Sequence, residues 1–86
     1  MRVGISSHFE KRARRLSAEE KEAMDERTEW FMSDKSDSRL KVHALTGKLK
    51  GYFSFSISRK KRIKFKFVSE NEAIFIDVGP HDDVYR

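Results

Sequence analysis

The 86-residue chain has no cysteine, a single proline and only four glycines. Without thiols, disulfides and thiolate metal sites are excluded, which fits a reducing cytoplasm. No apolar run approaches the length of a membrane span or of a signal-peptide core, so the expectation is a soluble, unexported protein with no membrane partner. Repeats, linkers and low-complexity segments are also missing, and residues 1–86 read as one domain. So short a chain buries a modest fraction of its surface and has little stability to spare.

Acidic residues are scarce in one place. Lys35 to Phe67 carries eleven Lys/Arg against Asp37 alone, whereas Met1 to Glu29 balances seven against seven. Val68 to Arg86 leans the other way, with five acids and one base. A basic middle between neutral and acidic segments implies a localised positive field, for which nucleic acid is the commonest partner. An acidic protein or an anionic membrane surface is the alternative. Aromatic side chains among these cations can stack on bases, although Phe53, Phe55, Phe65 and Phe67 fit a core better.

What is present is a hairpin. Phe53, Phe55 and Ile57 alternate with Tyr52, Ser54, Ser56 and Ser58, while Ile63, Phe65 and Phe67 alternate with Arg62, Lys64 and Lys66. Period two predicts two strands joined near Ser58 to Lys61, each with one apolar face. Like charges along one face repel, so the cations must face water or a polyanion.

Around the hairpin, Arg2 to Ser6 alternates weakly and reads as an edge strand. Ser7 with Glu10, and Ser17 with Glu20, each fit a capping box, predicting a helix to about Leu16 and a second to about Ser33. Asp34 to Ser38 is a loop; Leu40, Val42 and Leu45 can pack as the chain crosses; Gly47 and Gly51 mark turns. Asn71 suits a left-handed connection, Ala73 to Val78 reads as the central strand, and His81 to Arg86 as a short tail. The order is βααβββ: an α+β fold whose mostly antiparallel sheet carries a helical hairpin on one face.

Four ordered pieces carry a family resemblance: His43-Ala-Leu-Thr-Gly-Lys-Leu-Lys-Gly-Tyr52, Phe53-Ser-Phe-Ser-Ile57, Arg62-Ile-Lys-Phe65 and Asp77-Val-Gly-Pro-His-Asp-Asp-Val-Tyr-Arg86. Together with the βααβββ order they resemble the RelE/ParE toxin superfamily, in particular its YafQ-like branch of ribosome-dependent mRNA interferases. The resemblance implies a bacterial, cytoplasmic toxin of a type II toxin–antitoxin pair, an endoribonuclease that cuts mRNA on the ribosome. The implied reaction is attack of a ribose 2′-hydroxyl on the adjacent phosphate, with no metal and no cofactor. It also implies a cognate antitoxin, expected here to mask the cationic face with an acidic, amphipathic segment.

Matched residue by residue, the resemblance assigns catalytic roles to His81, Arg62, Tyr85 and His43. Lys48, Lys50, Arg59, Lys60, Lys61, Lys64 and Lys66 become the nucleic-acid contacts. The plain alternatives are a turn histidine beside Asp82 for His81, a solvated sheet face for Arg62, a packing anchor for Tyr85 and a surface loop residue for His43. Two positions depart from the branch: where it has a strand histidine and, four residues on, an aspartate, this chain has Ser56 and Lys60. Two other functions therefore stay open, a ParE-like toxin that poisons DNA gyrase and a member without catalysis that binds only nucleic acid or its antitoxin.

Overall fold

Alternating apolar residues and two helix caps set the architecture, which a computed structural model describes for residues 1–85. The elements are β1 (Arg2–Ile5), α1 (Ser7–Ala13), α2 (Ala18–Ser33), β2 (His43–Ala44), β3 (Phe53–Ser56), β4 (Lys61–Ser69), β5 (Glu72–Pro80) and α3 (His81–Val84). One sheet contains every strand of the described residues, in the order β1-β5-β4-β3-β2. All its pairings are antiparallel except that of β1 with β5, which is parallel. The fold is thus α+β and mostly antiparallel, as expected, with β2 and α3 added to the anticipated βααβββ order. Among the described residues, no helix is long and apolar enough to cross a membrane.

The apolar face of the β3–β4 hairpin forms the core. Phe55, Ile63 and Phe65 have no exposed surface, and α2 lays Phe31 on them. The Phe31 ring lies 5.3 Å from Phe55, 4.9 Å from Phe65 and 5.8 Å from Phe75. Fully burying one such ring contributes about 1.5–3 kcal/mol, so this cluster dominates the stability of a small domain. Phe9 brings α1 to the same core, 5.5 Å from Phe75.

Several local expectations need correction. The α1 cap is Ser6 rather than Ser7: its hydroxyl accepts from the Phe9 amide and donates to the Ile76 carbonyl, so the cap is also tied to the sheet. Glu10 pairs with Arg14 instead of reaching back, and α1 ends at Ala13. At Ser17 the reciprocal box with Glu20 is complete. The strand over Ala73 to Val78 is interior as anticipated, β5 pairing with β1 on one side and with β4 on the other. Asn71 is not left-handed; among the described residues the one non-glycine at positive φ is Lys41, at 53°. Gly47 and Gly51 do turn the chain at positive φ. The supposed tail is structured, since His81 to Val84 form a helical turn anchored by the fully buried Val84.

Candidate active site

Ser54 explains how the site is assembled. It lies between Phe53 and Phe55, so alternation turns it to the side opposite the core, yet it has no exposed surface. On its two flanks it pairs with His43 of β2 and Lys64 of β4. α3 folds over this second face and sets the Tyr85 hydroxyl 2.7 Å from Ser54 Oγ. Arg62 leans across from β4, and its Nε donates to Ser54 Oγ at 3.0 Å. The polar face of the hairpin is therefore partly covered, where alternation alone predicts water.

A second contact fixes Arg62. Its Nη2 donates to the Lys41 carbonyl at 2.9 Å. Lys41 ends the 3₁₀ turn Ser38–Leu40 in the left-handed region, with φ 53° and ψ 54°. For a residue with a side chain that conformation costs on the order of 1–3 kcal/mol and persists only where surrounding contacts impose it. Here the buried Leu40 fixes the preceding turn, and the carbonyl that results is spent on the guanidinium. With two N–H groups so engaged, the rest of the fork is left to a ligand.

α3 supplies the remaining groups. His81 opens the helix and Tyr85 closes it, with ring centroids 4.0 Å apart and planes inclined at 41°. His81 Nδ1 is 3.5 Å from Asp82 Oδ1, which leaves Nε2 as its free edge. The helix is moored to α1 by Arg12, whose Nη2 donates to Asp83 Oδ2 at 2.8 Å. Arg12 Nε also lies 3.7 Å from the buried Asp77, against which His8 Nε2 sits at 3.2 Å.

One cleft of about 450 Å³ results, lined by His43, Ala44, Leu45, Thr46, Leu49, Arg62, His81 and Tyr85. All four residues singled out from the sequence as catalytic meet in it, from β2, β4 and α3. Imidazole and phenol can exchange protons, and a restrained guanidinium can hold an oxyanion such as phosphate. A neighbouring cleft of about 510 Å³ mixes Arg27, Arg39, Lys41 and Arg59 with Glu19 and Glu20 and carries no imidazole. Ser56 opens on that cleft, and its hydroxyl donates to the Ser58 carbonyl at 2.7 Å. Lys60 is exposed in the hairpin turn. Neither departure from the YafQ-like pattern lines the cleft of the four.

The cations expected to contact nucleic acid do not form one row. Lys64 and Lys66 extend from the site along β4, their amines 5.7 and 5.9 Å from the Tyr52 ring centre. Lys48 and Lys50 are exposed on either side of Leu49, which lines the cleft. Arg59 and Lys60 stand apart at the hairpin tip. Lys61 is turned away to α2, with Nζ 3.5 Å from Glu20 Oε2. Sequence reasoning missed Ser54, the Lys41 carbonyl and the Arg12–Asp83 mooring. No signal within their own stretches distinguishes them, because each matters through a partner distant in the chain.

The fold is that of a group of small bacterial and archaeal toxins. A YoeB/ParE toxin from Agrobacterium tumefaciens superimposes with a TM-score of 0.80 at 16% identity, over 94% of this chain and 99% of that one. YafQ from E. coli gives 0.79 at 15% identity, over all of both chains. RelE, in the RelB–RelE antitoxin–toxin complex from Methanococcus jannaschii, gives 0.76 at 18%, over 96% and 95%. No family model matches the sequence, and neither does any curated protein. The chain thus has the RelE/ParE-like toxin fold over nearly its whole length, at identities that speak for architecture alone.

Proposed function

We propose that this chain is the toxin of a toxin–antitoxin pair, a cytoplasmic endoribonuclease that cuts mRNA on the ribosome. The observation that carries the reading is the meeting of His43, Arg62, His81 and Tyr85 in one cleft. One imidazole, His43, takes the proton of the ribose 2′-hydroxyl, and the freed oxygen bonds to phosphorus. The bond from phosphorus to the 5′-oxygen breaks, and that oxygen receives the proton of His81. The products are a 2′,3′-cyclic phosphate and a 5′-hydroxyl. Arg62 holds the phosphate through the part of its fork that faces the cleft, and Tyr85 donates to a phosphate oxygen. Lys48, Lys50, Lys64 and Lys66 draw the RNA strand in. The antitoxin partner is supported by the neighbouring fold in complex with RelB and by the cationic surface around the cleft.

Expression without any partner, followed by mapping of mRNA ends on translating ribosomes, tests this. New 5′-hydroxyl ends are expected, and His81→Ala should reduce them by about a hundredfold or more. Absent cuts, or cuts indifferent to His81→Ala, would overturn the nuclease reading. Intact mRNA with gyrase-dependent DNA breaks would replace it with the gyrase-poisoning one.

A further inference from the structure

We propose that Ser54 is the positioning residue of the cleft, joining Arg62 to Tyr85 and aiming the phenolic proton of Tyr85 outward at the substrate. The assignment rests on the nuclease reading for its catalytic meaning, though not for its geometry.

A serine hydroxyl has one proton to give and two lone pairs. Guanidinium can only donate, so the 3.0 Å contact from Arg62 Nε occupies one lone pair of Ser54 Oγ. The other partner among the described residues is the Tyr85 hydroxyl, 2.7 Å away. If Tyr85 donated there, the Ser54 proton would be left without an acceptor at a residue with no exposed surface. Buried polar groups are paired almost without exception, so the serine proton goes to Tyr85 Oη. The Tyr85 proton, with no protein acceptor among the described residues, then faces the cleft that Tyr85 lines. Donation into the phenolic oxygen polarises its O–H bond, and the cation two links away reinforces this. A single buried hydroxyl thereby sets the direction of one donor and the rotamer of a cation.

Two measurements on the full chain decide the matter. In NMR spectra of the free protein, the Arg62 Nε–H should exchange slowly with water in the wild type and in Ser54→Thr. In Ser54→Ala its exchange should quicken by about tenfold or more, because its buried acceptor is gone. Should Ser54→Ala fail to fold, Ser54→Cys keeps the volume while offering a far weaker acceptor. An exchange rate unmoved by either substitution overturns the proposal.

In ribosome cleavage assays Ser54→Ala should lower kcat about tenfold with KM nearly unchanged, Ser54→Thr should recover most of it, and in a Tyr85→Phe background Ser54→Ala should cost less, keeping only the part that acts through Arg62. Fully additive losses, or a loss confined to KM, would overturn the coupling. A wild-type chain that cuts nothing would sink the nuclease reading alone, leaving the exchange measurement to decide on Ser54.

Discussion

Gly79 shows how one missing side chain sustains the site. A Cβ built there would lie 2.3 Å from Arg12 Nη2, the nitrogen that holds Asp83 of α3. The obstructing atom is the tip of a flexible side chain, so Gly79→Ala should eject Arg12 rather than move the strand. Glycine to alanine within a strand otherwise stabilises slightly, so the sign is informative. Loss of this partly buried bridge should cost on the order of 1 kcal/mol and lower Tm by about 4–8 °C. Arg12→Ala should do the same, and the double variant no more than either alone. Thermal denaturation of the three variants checks this, and a stabilised Gly79→Ala would remove the bridge from the account. At this scale the core residues were legible, because Phe55, Ile63 and Phe65 obey a period of two that burial enforces. Ser54 was not, since a serine between phenylalanines reads as a solvated position until α3 covers it.

Among the elements, legibility follows whether the determinant is local. The start of α2 is written in Ser17 and Glu20, where each side chain meets the other's backbone amide, at 3.1 and 2.9 Å. β2 and α3 contain two and four residues, too few to show a period, and exist through Ser54 and Val84. The α2 cap makes a pH prediction. The Ser17 amide, with help from Lys61, holds the Glu20 carboxyl below its ordinary 4.5. A carboxyl lowered in the folded state stabilises that state above 4.5, and the contribution fades as pH falls through the lowered value. Glu20→Ala should therefore lower the urea midpoint near neutrality, and its gap from the wild type should narrow on acidification from 4.5 downward. A gap of constant width would show that the charge of Glu20 does nothing there. Ser17→Ala should cost about 1 kcal/mol at neutral pH.

For the whole molecule, net charge was readable from composition but its distribution in space was not. Lys61 belongs to the same run as Lys64 and Lys66, yet Glu20 has claimed it. Binding of single-stranded RNA across a salt series separates them. Lys64→Gln and Lys66→Gln should each reduce the slope of log affinity against log salt by about 0.7, whereas Lys61→Gln should hardly alter it. Equal effects at all three positions would argue for a diffuse cationic coat. The overall topology has a temporal consequence as well. β1 lies beside β5, and the Ser6 hydroxyl bonds a carbonyl 70 residues further on. Closing so long a loop comes late in folding, because its entropy must be met before any contact rewards it. A nascent chain that has released its first seventy-odd residues thus holds an unfinished sheet and no cleft. The cleft is complete only once β5 lies between β1 and β4 and brings His81 and Tyr85 over the hairpin.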